Sequence, residues 1–243
     1  MLGRVEGDSV RELQGDLFAG WQPGERLWPL REIKFLPPCA PSKIVCMGRN
    51  YREHAAELGN EIPAEPLIFL KPPSAIIATG EPIVLPAISK RVDYEGEIAA
   101  VIARACRNLR EEDDVTPYIA GYTCLNDVTA RDLQKSDSQW TRGKGFDTFC
   151  PLGPVLETSL DLRTAGVRTF VNGQRKQSGM VSEMMFSPDA IIRWISRVMT
   201  LMPGDVVATG TPSGVGQLQA GDVVEVVVEG VGTLQNPVAE QSA

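Results

Sequence analysis

Apolar positions along the chain gather into short runs broken by glycine, proline and asparagine, the pattern of strands joined by turns. "GRVEGDSVREL" reads as strand, turn and strand about Gly7-Asp8. Residues 1–41 then form a small β-rich domain ending in the proline-punctuated "LPPCAPSK", and residues 42–243 form a second, larger domain. The apolar run over 44–48 in "KIVCMG" is a short buried strand. "YREHAAELG" is helical, with Tyr51, Ala55 and Leu58 on one face and Gly59 as the stop.

Further strands follow in "PLIFLKPPSAIIATG" and "PIVLP", both interrupted by prolines. "YIAGYTCLND" is a strand running into a helical turn, where Thr129 and Asp132 have capping-box spacing. "TFVNGQRKQ" predicts a hairpin, because Asn172-Gly173 suits a two-residue turn with positive φ. The clearest helix has Ser187 as N-cap and Pro188 in its first turn, with Ile191, Ile192, Ile195, Val198 and Met199 along one side. Many strands and few helices predict a mainly β (α+β) fold, with the sheet rolled rather than doubly wound.

One strand breaks the apolar pattern. In "VDYEGEIAAVI", residues 92–102, alternation puts Glu95 and Glu97 on the same face, ahead of Ala99 and Val101. Two like charges entering a core are costly unless something neutralises them.

Composition narrows the classes. A net charge of −7 argues against nucleic acid and anionic membrane surfaces as partners. The five cysteines are scattered without a CxxC pair, the usage of reduced thiols in a cytosol. No signal-peptide pattern or apolar stretch of spanning length is present, so the expected location is cytoplasmic.

Glu95 and Glu97, with Asp127 as a third acid, would make a hard oxygen site for Mg²⁺, Mn²⁺ or Ca²⁺. By spacing alone, an E-x-E pair is more often a solvated strand face, and Asp127 more often a turn cap. The single histidine and unpaired cysteines argue against zinc. His54 precedes Glu57 by three positions, so the two meet on one helical face as an oriented general base or as a structural pair. Lys144, between two glycines, could reach an anion or simply face solvent. The loop "TGTPSGVG" allows close backbone approach to a ligand but matches neither a dinucleotide nor a Walker pattern.

In combination and order, "GRNYREHAAE", "DYEGEIAAVI", "NDVTARDLQ", "WTRGKGFDTFCPLGP", "NGQRKQ" and "MTLMPGDVVATGTPSGVG" resemble the fumarylacetoacetate hydrolase superfamily, from about residue 42 onward. The resemblance implies a rolled β catalytic domain, commonly homodimeric, with a small N-terminal domain in many members. It implies that Glu95, Glu97 and Asp127 bind Mg²⁺ or Mn²⁺. It also implies that Lys144 contacts a bound α-keto acid and that His54 and Glu57 form a water-activating dyad on a lid helix. Arg131, Gln134 and Thr211 are implied to line the pocket. Where the family often has a polar Asn-Thr pair after the "RKQ" segment, this chain has "SGMVSEMMF", so Met180 and Val181 are expected to alter the pocket wall or lid contact.

The implied reaction is hydrolysis of a C–C bond in an acylpyruvate such as fumarylpyruvate. The alternatives are oxaloacetate decarboxylation or tautomerisation and isomerisation of 2-hydroxyhepta-2,4-diene-1,7-dioate. All pass through a related enolate of an α-keto acid. A silent metabolite-binding protein is the reading from another class.

Overall fold

The computed structural model describes residues 1–57, 59 and 61–241. The chain divides into two compact units, Met1–Phe35 and Leu36–Ala243. The first is an antiparallel three-stranded sheet of Leu2–Glu6, Ser9–Asp16 and Gly20–Pro29. Its first turn is the expected one, with Gly7 at φ 58°.

The second unit carries a seven-stranded sheet in the order Leu67–Lys71, Ile44–Gly48, Val206–Ala208, Gly96–Ile102, Ile119–Asn126, Cys150–Glu157, Ile76–Ile77. A five-stranded sheet runs Gln174–Met180, Gly166–Val171, Val223–Val228, Gly232–Glu240, Ile83–Leu85. A small third sheet joins Thr129–Ala130, Val92–Tyr94 and Gly216–Gln217. Besides short 3-10 turns, four short α-helices are described: α1 (Arg52–Glu57), α2 (Arg131–Ser136), α3 (Thr141–Lys144) and α4 (Pro188–Val198). The mainly β, rolled fold is as expected. No described helix is long and apolar enough to cross a membrane.

The main core lies between the two larger sheets, where Ile98, Ala100 and Ile102 meet Val226, Val228 and the Ile191, Ile192, Ile195 stripe of α4. Ser187 caps α4 by accepting the Ala190 amide at 3.3 Å. The expected stripe holds through Ile195, Val198 falls outside it, and Met199, beyond the helix, still packs against the core. The helix ends at Val198, and Met199 turns extended (φ −149°), leaving Val198 59% exposed. Asn172 (φ 51°) and Gly173 (φ 75°) make the predicted hairpin turn. Leu58, expected on the inner face of α1, lies outside the described residues.

Two local expectations need correction. The acidic strand is interrupted: Val92–Tyr94 and Gly96–Ile102 belong to different sheets, and Glu95 sits at the break. Thr129 and Asp132 do not form a capping box. Thr129 is held in strand pairing opposite Asp93, so α2 starts after Ala130. The Asp132 carboxylate instead accepts from Ser89 Oγ at 2.7 Å and the Lys90 amide at 2.8 Å.

Candidate active site

The break at Glu95 is what builds the acidic centre. A Cβ at Gly96 would come within 2.1 Å of Thr169 Oγ1, so only glycine lets the strand pass this close to the neighbouring sheet. Gly96 pairs with Asn126 across an antiparallel ladder. Beyond it, the Asp127 amide donates to the Glu95 carbonyl at 2.8 Å, and the Glu95 amide to Asn126 Oδ1 at 2.9 Å. Asp127 therefore arrives beside both glutamates. One carboxylate oxygen from each of Glu95, Glu97 and Asp127 falls in a group whose members all lie within 4.8 Å of one another, and all three residues are buried.

Cations surround two of these acids. Lys144, the last residue of α3, donates to Glu95 Oε2 at 2.8 Å and Asp127 Oδ2 at 2.6 Å. Arg131, the first residue of α2, donates to Asp93 Oδ2 at 2.9 Å, to Gln134 Oε1 at 2.7 Å and to Glu95 Oε1. Lys71 reaches the other side of Asp127, 2.6 Å from Oδ1, and also donates to the Val128 carbonyl at 3.0 Å.

Glu97 differs. Its Oε2 accepts the Gly210 amide at 2.7 Å, and no described lysine or arginine pairs with it. Gly210 has φ 97°, and a Cβ there would stand 2.7 Å from Asn50 Cβ. Asn50 in turn clamps this loop, donating to the Thr209 carbonyl at 2.8 Å and the Phe186 carbonyl at 2.9 Å.

The electrostatics follow from these contacts. Burial favours a neutral Glu95, yet Lys144 and Arg131, with His54 nearby, hold its carboxyl well below the ordinary range. Burial pushes Glu97 well above that range, reinforced by the charges of Asp127 and Glu95. Burial works against the Lys144 ammonium, but Asp127 and Glu95 outweigh it and raise its pKa. The centre is short of positive charge at Glu97, and all its donor atoms are hard oxygens. A divalent cation of the Mg²⁺ class fits that donor set.

The acids open into a cavity of about 180 Å³, smaller than the clefts that take drug-sized ligands. His54, Glu95, Glu97, Asp127, Arg131, Gln134, Lys144 and Thr211 all line it, together with Met47, Gly48, Arg49, Phe69, Lys135 and Trp140. Glu57 does not. It stands behind His54, with Oε2 3.4 Å from Nδ1, while Oε1 accepts the Gly214 amide at 3.0 Å. Glu53 adds a contact to Ser213 Oγ at 3.2 Å, so α1 rests on the glycine-rich loop. Thr211 Oγ1 donates to the Gly96 carbonyl at 2.9 Å and accepts from Gln177 Nε2 at 2.8 Å, which commits its single proton to holding the strand. Met180 and Val181 were expected to alter either the pocket wall or the lid contact. Neither lines the cavity: Met180 is exposed and Val181 packs into the core.

Sequence reasoning missed Lys71, Asp93, Gln177 and the Arg49–Trp140 wall. A lysine ending the apolar strand "LIFLK" was the available signal for Lys71. Nothing local marks its partner, 56 positions away.

Residues 43–239 match the family model described as fumarylacetoacetate (FAA) hydrolase C-terminal. The chain belongs to the fumarylacetoacetate hydrolase family. Its first residues, 1–38, match a model described as Rv2993c-like, N-terminal. Within the family, the chain is 44% identical over 219 residues to a Xenopus laevis protein named oxaloacetate tautomerase fahd2, mitochondrial, covering 85% of this chain and 68% of that one. It is 41% identical over 230 residues to Bacillus subtilis oxaloacetate tautomerase YisK, covering 88% and 76%. A solved structure described as 2-hydroxyhepta-2,4-diene-1,7-dioate isomerase from Mycobacterium marinum is similar at TM-score 0.90 and 45% identity, covering 99% of this chain and 93% of that one.

Proposed function

We propose that this family enzyme interconverts the keto and enol forms of a small 2-oxo acid of the oxaloacetate class, or shifts the double bond of a related 2-hydroxydienoate. The observation carrying this reading is that the lone histidine and three buried acids line one small cavity. The names of the relatives support the isomerase and tautomerase alternatives more than the acylpyruvate hydrolysis expected first. Both reaction types move a proton on the conjugated enol of a 2-oxo acid, at the carbon beside the 2-oxo group in the keto–enol pair and at the far end of the dienol in the double-bond shift, and neither needs a nucleophilic water.

Glu95, Glu97 and Asp127 are the residues that would hold a divalent ion. When bound, such an ion supplies Lewis-acid polarisation of the keto acid and stabilises developing enolate charge. Lys144 has two of its three ammonium protons committed to acids, leaving one for a substrate oxygen. Gln134 accepts from Arg131 through Oε1, which leaves its amide N–H groups for a ligand. His54 faces Glu57 through Nδ1, so Nε2 is the nitrogen available to exchange a proton with the substrate. Glu57 orients the imidazole and, through Gly214, ties it to the glycine-rich loop.

Hydrolysis of an acylpyruvate is the second reading, because the same His54–Glu57 pair could activate water. One enzyme preparation supplied with Mg²⁺ or Mn²⁺ separates the two. Ketonisation of enol-oxaloacetate or isomerisation of a 2-hydroxydienoate should exceed cleavage of acylpyruvates in kcat/KM. Cleavage faster than both would reverse the assignment.

A further inference from the structure

The cations around the cavity's acids are already paired: Lys71, behind the wall, with Asp127, and the lining Lys144 with Glu95 and Asp127 and Arg131 with Asp93 and Glu95. Two more cations line the same cavity, Arg49 and Lys135, and neither has a carboxylate at ion-pair distance among the described residues. Arg49 is half-buried, and its guanidinium lies 5.9 Å from the centre of the Trp140 ring, another wall residue. Its backbone is in the left-handed region at φ 56°, uncommon for a residue with a side chain.

The neighbours hold it there. A Cβ on Gly48 would lie 2.9 Å from the Trp140 ring, and Asn50 is fixed by hydrogen bonds to Phe186 and Thr209. An unfavourable conformation enforced from both sides, on a cation facing a cavity, is the kind of strain found at ligand clamps. The planar guanidinium on an aromatic face is also pre-oriented to bind a carboxylate through two N–H groups.

We propose that Arg49, seated on Trp140 and assisted by Lys135, is the specificity-determining residue that binds a second carboxylate at the far end of the substrate. The site then selects 2-oxo dicarboxylates over 2-oxo monocarboxylates. This rests on the keto-acid reading of the Glu95–Glu97–Asp127 end.

Calorimetric binding to the Mg²⁺-loaded enzyme tests it with 2-oxoglutarate and 2-oxopentanoate, which share a chain length and differ in the terminal carboxylate. The wild type should prefer the dicarboxylate by roughly 10- to 100-fold, the range of one charge-assisted contact. Arg49→Met should abolish most of that ratio, Lys135→Met a smaller part, and Arg49→Lys should restore some of it. A wild type without preference, or a ratio that survives Arg49→Met, overturns the proposal. So does equal weakening of both ligands in Arg49→Met and Arg49→Lys, which marks a structural role. If the enzyme turns over neither oxaloacetate nor hydroxydienoates while the ratio still collapses in Arg49→Met, the reaction assignment fails and the carboxylate subsite stands.

Discussion

The Lys71 ammonium lies 2.6 Å from an Asp127 carboxylate oxygen, with both side chains sealed from solvent. The contact ties the end of one edge strand to the acid that completes the triad. Lys144 still pairs with the other oxygen of Asp127, so removing Lys71 leaves one buried carboxylate oxygen unsatisfied rather than a bare charge, which costs about 1–3 kcal/mol. Lys71→Met should lower the unfolding free energy by about that amount in denaturant titrations. A loss well under 1 kcal/mol would show that Asp127 does not depend on Lys71.

Glu97 is predicted to behave in the opposite way. It is buried beside two other acids without a cation of its own, so Glu97→Gln should leave the metal-free protein at least as stable as the wild type. Mg²⁺ or Mn²⁺ affinity should fall sharply in the same variant, read by calorimetry. Unchanged affinity would remove Glu97 from the metal site.

Asp205 supports the fold away from the chemistry. Its carboxylate accepts from the Ser42 amide at 3.0 Å, Ser42 Oγ at 2.7 Å and the Met202 amide at 2.7 Å, and it pairs with Lys43. Burial pushes this carboxyl up, but Lys43, Ser42 and the Met202 amide together hold it below its ordinary 3.8. A depressed carboxyl contributes stability that is present above pH 3.8 and is lost as pH falls through the lower folded value. Asp205→Asn should reduce the acid-side loss of stability and lower the neutral-pH stability by about 2 kcal/mol. An unchanged acid limb would contradict this.

The two members of the dyad should separate kinetically. His54 lines the cavity and Glu57 does not, so His54→Asn should cut turnover by roughly the 10²–10⁴ typical of a lost general acid–base. Glu57→Gln should cut it less, because the imidazole stays in place. Metal affinity should hold in both. Equal losses would put Glu57 in contact with the reacting atoms.

Local signals were read well from sequence where one segment decides the outcome. Asn172-Gly173 makes its turn, and Ser187-Pro188 starts its helix. Glu95 and Glu97 do converge, though through a strand break at Glu95 rather than by alternation along one strand. The failures are long-range. Thr129 has the spacing of a cap, but pairing with Asp93 claims it first. Val198 fits the helical stripe but falls where α4 stops. Lys71 ends an apolar strand and Arg49 follows one, but their partners, Asp127 in one case and Trp140 in the other, lie far along the chain. The chemistry-bearing acids were legible because burying them demands an explanation. Of their supporting cations, Lys144 and Arg131 were named through the family resemblance and Lys71 was not.

On the proposed reaction, His54 moves a proton at the carbon beside the 2-oxo group of oxaloacetate without breaking the substrate's carbon skeleton. Proton NMR of oxaloacetate turnover in deuterated water, with Mg²⁺ or Mn²⁺ present, reads both halves of that claim together. The wild type should exchange the C3 hydrogens for deuterium faster than solvent and metal alone, with the four-carbon skeleton intact, and His54→Asn should lose the acceleration. Exchange no faster than the enzyme-free control, alongside rapid C–C cleavage of an acylpyruvate under the same conditions, would contradict it.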